Sequence, residues 1–149
     1  SFCVPAHVTV DKEGRVYVSD YLNDRVQIFS PAGQLLKSIT VISPSQVSIH
    51  AKTQEIYIFS SMIYTEGRSG GIARKKPNKN ALTVFGAFPN VGKTHEYSLP
   101  KEFISNTNPH NYNGLGFPLS AIVDTDGSET TVWFANELRR LNFTLQKSR

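Results

Sequence analysis

Apolar and polar positions alternate with a period of two in three segments of the chain, each beginning at a proline. The segments are residues 5–20, 44–60 and 118–135, and in each an alternating run is followed by a polar turn and a second run. The alternating apolar positions of the three first runs are Val8 and Val10, Val47 and Ile49, and Ala121 and Val123. This period places every second side chain on one side of an extended strand. The pattern therefore predicts three pairs of β-strands.

The first copy continues into a unit of four strands. A third run covers residues 23–29, a turn rich in Pro and Gly covers 30–33, and a fourth run covers 34–39. Such a unit of about 40 residues is typical of a β-propeller blade. Pro44 follows Pro5 by 39 positions, whereas Pro118 follows Pro44 by 74, so the second unit carries an insertion of about one blade length. Because no 3.6-residue apolar stripe is present, the predicted fold class is all-β.

The motifs of the first unit are specific. They read Val-x-Val-Asp at 8–11, Gly-x-Val-Tyr-Val-x-Asp at 14–20 and Asn-x-Arg-Val-Gln-x-Phe at 23–29. In these motifs the chain resembles the NHL-repeat β-propeller family. The resemblance is close over 5–39, partial over 44–60 and 118–143, and absent over about 89–116. It implies three blades of an incomplete ring, because NHL rings usually have about six blades and closed propellers about four to eight.

This register divides the chain into four parts. Blade one is predicted at about 5–39, blade two at about 44–88 with an inserted basic hairpin, a loop excursion at about 89–117, and a truncated blade three at about 118–149. The third strand of blade two is expected near 71–76. Two alternatives stay open: the chain is a fragment of a longer propeller, or two copies close a six-bladed ring.

Composition adds limits but names no function. Hydrophobic residues make up 39% and charged residues 19% of the chain, which excludes a disordered or coiled-coil composition. The net charge of +4 permits an acidic partner without requiring one. The single Cys3 excludes an internal disulfide, and no apolar run approaches the roughly 20 residues of a membrane span. The start without Met is expected to be a cut or processed end, and the compartment is not indicated.

Three polar residues occupy one register at the start of the three blades. His7, Gln46 and Ser120 each come two residues after the repeat proline. The NHL resemblance implies that the innermost strand of each blade lines a central channel, where these side chains are candidate ligand-binding residues. The simpler interpretation is that they are ordinary polar residues at strand starts.

The same resemblance implies an enzymatic alternative. Peptide-amidating lyases and gluconolactonase-like hydrolases hold a metal near this channel, with ligands from several blades, and a catalytic metal needs about three protein ligands. Only under this alternative is Ca²⁺ or Zn²⁺ expected. Otherwise no cofactor is predicted, and the four histidines, which lack metal-binding spacing, predict no metal site by themselves.

A basic stretch lies in the predicted hairpin of blade two. It consists of Arg68, Arg74, Lys75, Lys76 and Lys79. Basic faces of some NHL domains bind RNA, so RNA binding is a further alternative, with affinity that falls steeply with salt. No aromatic residue interleaves with these cations to stack on bases. The simpler interpretation is a solvated hairpin tip that keeps a sheet edge from pairing.

Three other motifs are interpreted structurally. Residues 87–94 match a relaxed phosphate-binding pattern, but Pro89 removes an N–H donor and no helical stripe follows, so this segment is expected to be a loop. His50 stands where blade one has Asp11 and is expected to take part in a turn hydrogen bond. The aromatic residues at one register of the second strands are expected to pack between blades: Tyr17, Tyr57 and Trp133.

The sequence favours a non-catalytic binding scaffold, in which loops and an axial funnel face a protein or another ligand. The prediction follows from a repeat match without a complete catalytic set of residues, and fold alone does not determine function. The alternatives are the channel-metal lyase or hydrolase and the RNA-binding protein. Partner identity is left open, and self-association that completes the ring is among the expected interactions.

Overall fold

A computed structural model describes residues 1–61, 81–99, 120–124, 130–135 and 140–145 of the chain. Within these ranges the protein is built from β-strands arranged in three antiparallel sheets, together with a short 3₁₀ turn at Tyr21–Asn23. No helix in the described part is both long and apolar enough to cross a bilayer. The all-β prediction is confirmed.

Each sheet corresponds to one predicted blade. The strands of blade one are β1 (Pro5–Val10), β2 (Val16–Asp20), β3 (Arg25–Phe29) and β4 (Leu35–Thr40). Those of blade two are β5 (Pro44–Ile49), β6 (Ile56–Ser60), β7 (Ala81–Phe85) and β8 (Lys93–Ser98). Blade three contains β9 (Ser120–Asp124), β10 (Thr131–Ala135) and β11 (Arg140–Thr144) among the described residues. In each sheet, strands adjacent in sequence are hydrogen-bonded neighbours, which is the up-and-down order of a propeller blade.

Blade two differs in detail from its predicted course. The strand paired with β6 is β7 at Ala81–Phe85, and the expected strand near 71–76 lies outside the described residues. The fourth strand, β8, occupies Lys93–Ser98, so blade two extends past residue 88 into the segment predicted as loop. All five residues of β7 are buried, because both of its faces are covered. A strand covered on both faces has no polar alternation by which to recognise it.

The strand pairing confirms the register of the repeat. Thr9 pairs with Tyr17 in blade one, Ser48 pairs with Tyr57 in blade two, and Ile122 pairs with Trp133 in blade three. The three aromatic residues are therefore structurally equivalent. Tyr17 and Tyr57 are fully buried between blades, as expected from the sequence.

The core lies between the blades. We call the face of a blade that carries its second-strand aromatic residue the forward face, and the opposite face the backward face. The forward face of blade one (Tyr17, Val26, Ile28, Ile39) packs on the backward face of blade two (Val47, Ile56, Ile58). The forward face of blade two (Tyr57, Phe59, Leu82, Val84) packs on the backward face of blade three (Ala121, Val132). Blade two is thus covered on both faces, which explains why every residue of β6 is buried.

Candidate functional site

The first strands of the three blades lie side by side. Strand β1 contacts β5, and β5 contacts β9. Each is the edge strand at one end of its sheet, so the described parts of the three sheets converge at these inner strands. This arrangement brings the register of His7, Gln46 and Ser120 to the inner end of the blades.

His7 faces the neighbouring blade. It pairs with Ser19 across β1 and β2, and the ring is half-buried. Burial lowers the pKa of His7 below its usual value, and a hydrogen bond with the backbone of Val47 in blade two acts in the opposite direction. The Nδ1 atom of His7 and the Oγ atom of Ser19 are both buried without a hydrogen-bond partner in the described part of the chain. Burial of the ring therefore favours the uncharged form of the imidazole.

Gln46 makes the equivalent contact one blade further on. Its Oε1 accepts a hydrogen bond from the backbone N–H of Ala121 at 3.0 Å, and its Nε2 donates to the carbonyl oxygen of the same residue. Ala121 is equivalent to Val47, because each directly follows the register residue of its blade. Both ends of the Gln46 amide are thus bound to blade three. The amide joins β5 to β9.

The structure describes only the backbone of Ser120 and none of the residues of the basic stretch. Ser120 begins β9 and pairs with Ala135, which is the register of His7 and Gln46, but its side chain lies outside the described part. The whole basic stretch also lies outside the described residues: Arg68, Arg74, Lys75, Lys76 and Lys79. Ligand binding at either set stays a prediction. Among the residues that the structure describes, no three His, Cys, Asp or Glu side chains are grouped to hold a metal ion.

Most of the segment with the relaxed phosphate-binding pattern is a hairpin loop, as predicted, whereas its last two residues, Lys93 and Thr94, begin β8. Residues 86–92 connect β7 to β8, and Lys93 begins a strand where a phosphate-binding loop would have a helix. The Nζ of Lys93 lies 3.2 Å from Glu96 Oε2. A Cβ atom on Gly86 would lie 2.6 Å from the carbonyl oxygen of Asn90, so the tight turn requires glycine.

This hairpin reaches back to blade one. The guanidinium carbon of Arg15 lies 4.7 Å above the ring of Phe88, which is a cation–π contact. The Nζ of Lys37 in β4 donates to the carbonyl oxygen of Pro89 at 3.1 Å. Sequence reasoning missed these contacts. The sequence did offer one signal: Phe88 lies in a loop between Gly86 and Gly92, and an aromatic side chain is unfavourable in a loop that is only exposed to solvent.

An open groove lies between β4 and the hairpin. Its volume is about 550 Å³, within the range of about 300 to 1,000 Å³ typical of ligand sites. The lining is mixed: hydroxyl, amide and ammonium groups stand beside apolar side chains. It is formed by Lys37, Ser38, Ile39, Thr40, Phe85, Asn90, Val91 and Gly92. The groove therefore offers both hydrogen-bonding and apolar contacts to a partner.

Two carboxylates organise the turns of blade one. Asp20 is fully buried and accepts hydrogen bonds from the backbone N–H of Cys3 at 2.7 Å, from Asn23 Nδ2 at 2.8 Å and from Arg25 Nε at 2.9 Å. Burial would raise the pKa of Asp20, but these donors and the charge of Arg25 together outweigh it and lower the pKa. The carboxylate is held by three chain segments, which identifies it as a structural group.

Asp11 has the same character at the opposite end of the first hairpin. It accepts hydrogen bonds from the backbone N–H groups of Glu13 and Arg15, from Arg15 Nε and from the Tyr17 hydroxyl. Burial opposes ionisation, yet these donors lower the pKa of Asp11 below its usual value. Burial and the bond to Asp11 in turn raise the pKa of Tyr17 to about 12. Tyr17 therefore stays protonated and acts as a donor.

Comparison with known proteins supports the repeat assignment. Residues 2–29 match the family profile of the NHL repeat, and the match ends at the last residue of β3. No curated protein matches the chain. The profile match, the four-stranded antiparallel sheets and the common register of the three blades lead to one assignment. Residues 2–29 are thus similar to an NHL repeat, and the described part of the chain is all-β, with antiparallel sheets in the arrangement of a partial β-propeller.

Proposed function

We propose that the protein is a non-catalytic binding scaffold that presents the groove between blade one and the blade-two hairpin to a protein partner. NHL repeats generally mediate protein interactions, which supports the class of function. The observation that carries the proposal is the hydrogen bonding of the Gln46 side chain. Both polar ends of this amide are bound to the backbone of Ala121, so a residue at the channel register serves assembly of the blades.

The groove supplies the surface. It combines the exposed side of β4 with a hairpin whose shape is held by the contacts of Phe88 and Pro89 to blade one. Pre-formed surfaces bind with less loss of conformational freedom than loops that must become ordered. The start of β4, directly before the groove-lining Lys37, also carries exposed apolar side chains at Leu35 and Leu36. A partner segment with apolar and hydrogen-bonding side chains fits this lining.

The test is affinity capture with a matched pair of variants. Gly92 is exposed and lines the groove, and a Cβ atom added there would meet no other atom within 4 Å, whereas Ala32 is exposed in the β3–β4 turn and is not among the lining residues. Gly92→Arg adds a long charged side chain at the groove, and Ala32→Arg adds the same side chain elsewhere. A partner retained by the wild-type protein and by Ala32→Arg, but bound about tenfold more weakly by Gly92→Arg, is the expected result. Equal binding by all three proteins contradicts the assigned surface.

Metal analysis of the purified protein tests the enzymatic alternative. A scaffold is expected to contain no stoichiometric metal. Stoichiometric Ca²⁺ or Zn²⁺ that is lost in His7→Ala would replace the scaffold proposal by the channel-metal lyase or hydrolase. RNA binding is tested separately, by measuring whether any affinity for RNA falls with salt and with replacement of the five basic residues by Gln.

A further inference from the structure

The groove between β4 and the blade-two hairpin, which we call the β4 groove, follows the outer edge of a sheet. Strand β4 is the last strand in the order β1-β2-β3-β4, and among the described residues it pairs only with β3. Four consecutive residues of β4, 37–40, line the groove. Because successive side chains of a strand point to opposite faces, a groove lined by all four runs along the backbone edge of the strand.

Two residues of β4 direct their backbone groups toward this free edge. The N–H of Val41, directly after β4, donates to the carbonyl oxygen of Asp24, directly before β3. Backbone groups of successive residues in an antiparallel strand point to alternate edges. In the unbroken register that follows, the backbone groups of Ile39 face β3, and those of Ser38 and Thr40 face away from it. Both residues are exposed, so the edge offers N–H donors and C=O acceptors to a further strand.

A further blade does not cover this edge. Successive blades pack through their forward and backward faces, and their first strands meet at the inner end. Strand β4 lies at the opposite end of its sheet from β1. The exposure of its outer edge is therefore independent of how many blades precede or follow blade one.

The charge of the lining distinguishes between possible occupants of the edge. Among the described residues that line the groove, Lys37 is the one charged residue, and it is exposed. Its Nζ donates to the carbonyl oxygen of Pro89, and no carboxylate of the described residues forms an ion pair with it. A lysine at a strand edge disfavours pairing with a second copy, which would bring the same positive charge. A carboxylate would instead gain a charge-assisted hydrogen bond.

We propose that the β4 groove binds an extended, acidic segment of a protein partner as a fifth strand of blade one. This inference rests on the proposed scaffold function and specifies the form of its partner. Extended peptides that add to an exposed sheet edge gain affinity from backbone hydrogen bonds and specificity from alternate side chains. Lys37 and Ile39 lie two residues apart on the forward face. The added strand should therefore carry an acidic side chain near Lys37 and, two residues away, an apolar side chain near Val91 of the hairpin.

A displayed library of random linear peptides supplies the probe. With the 149-residue protein as bait, the enriched peptides should share an acidic and an apolar residue two positions apart. The affinity of the strongest peptide is then measured by fluorescence anisotropy. Replacement of its acidic residue by the corresponding amide should weaken binding about threefold. Failure to enrich any peptide, or enrichment of peptides without this spacing, overturns the proposal.

N-methylation of successive amides in that peptide tests the strand pairing without altering the protein. Only every second N–H of an added strand points toward β4. Methyl groups at alternate positions should therefore weaken binding about tenfold, whereas those at the positions between should have a smaller effect. An N-methyl scan without a period of two overturns the added strand.

Ser38→Pro tests the same pairing from the side of the protein. Proline removes the N–H that faces the free edge and leaves the hydrogen bonds between β3 and β4, because proline is tolerated where the N–H of an edge strand faces outward. The variant should keep the circular dichroism spectrum of the wild-type protein and bind the peptide about tenfold more weakly. Unchanged affinity overturns the proposal. A two-chain mass of the wild-type protein in light scattering that is lost in Ser38→Pro would also overturn it, because the edge would then pair with a second copy.

Competition separates this inference from the proposed function. If the inference holds, the peptide displaces the protein partner whose binding is weakened by Gly92→Arg. A partner that is weakened by Gly92→Arg, but is neither displaced by the peptide nor weakened by Ser38→Pro, overturns the added strand and leaves the scaffold function in place. Peptide binding that is equal in the wild-type protein and Gly92→Arg overturns the assignment of both to this groove.

Discussion

Blades one and two follow the same strand register but stabilise it with different chemistry. In blade one the end of the first strand is Asp11, whose carboxylate accepts from the backbone N–H groups of the following turn. In blade two the equivalent residue is His50, whose Nδ1 accepts from the N–H groups of Lys52 and Thr53, both at 3.2 Å. The position therefore requires a hydrogen-bond acceptor and does not require a negative charge.

The end of the second strand shows the same contrast. Asp20 gathers three donors from separate segments, including the charged side chain of Arg25. The equivalent residue of blade two is Ser60, and a pair of neighbouring hydroxyls is linked there instead: Ser61 donates to Ser45, and Ser45 donates to the carbonyl oxygen of Phe59. Blade two can use weaker polar contacts because apolar packing covers both of its faces. Blade one, covered on one face in the described arc, has stronger electrostatic contacts.

The largest difference between the blades is expected at this second position. Asp20→Ala should lower the free energy of unfolding by about 3 kcal/mol, because it removes three hydrogen bonds and leaves Arg25 without its buried partner. Ser60→Ala should lower it by less than about 1 kcal/mol. Urea unfolding followed by circular dichroism measures both, and equal losses would contradict the contrast between the blades.

A smaller difference is expected at the first position. Asp11→Ala removes the acceptor of the backbone N–H groups of Glu13 and Arg15, of the Arg15 guanidinium and of the Tyr17 hydroxyl, and should cost about 2 kcal/mol. His50→Ala removes an acceptor of two backbone donors and should cost about 1 kcal/mol. His50→Asn, which restores an acceptor, should recover part of that loss in the same urea measurement. Failure of Asn to recover any stability would show that the ring of His50 acts through packing.

Acidification should weaken the contribution of the two carboxylates of blade one. The folded-state pKa values of Asp11 and Asp20 lie below their unfolded values, so their contribution is complete above the unfolded pKa of about 4. That contribution is lost as pH falls through the folded values. Protonation of these carboxylates should lower the free energy of unfolding less than their replacement by Ala does, because a protonated carboxyl group still packs against its neighbours. Urea midpoints measured from pH 6 to pH 3 should fall less steeply in Asp11→Asn/Asp20→Asn, whereas an unchanged slope would assign the acid sensitivity to other groups.

The smallest effect concerns the turn between the first two strands. Gly14 of blade one and Gln54 of blade two both have positive φ, at 77° and 59°. Gly14→Ala should cost about 1 kcal/mol because alanine is strained there. Gln54→Gly should be nearly neutral, because relief of strain offsets the loss of its hydrogen bonds to the carbonyl oxygens of His50 and Ala51. Thermal unfolding of both variants measures the difference, and a large loss in Gln54→Gly would show that its side-chain bonds dominate.

Sequence periodicity and the register of the repeat predicted the first two strands of each blade. Strands β1, β2, β5 and β6 and the equivalence of Tyr17, Tyr57 and Trp133 followed from alternation and register. Strand β7 was not predicted at its place, because a strand covered on both faces reads as one apolar run. The mostly polar β8 was assigned to a loop, since an exposed outer strand has few apolar positions.

The candidate site was predictable in register but not in contacts. That His7 and Gln46 share a position could be inferred from the repeat, whereas the bonding of the Gln46 amide to Ala121 depends on a neighbour 75 residues away. The β4 groove could not be predicted, because it forms where Phe88 and Pro89 cross to another blade. Local sequence patterns do not show which distant segments of the chain come into contact after folding.

The return of the blade-two hairpin to blade one has a mechanical consequence. Blades one and two touch at their inner strands through His7 and Val47, and again near the outer strand through Lys37 and Pro89. Contacts at two separated points oppose rotation of one blade relative to the other. Blades one and two should therefore move together as one rigid unit, and the angle between them determines how strongly the arc of blades curves.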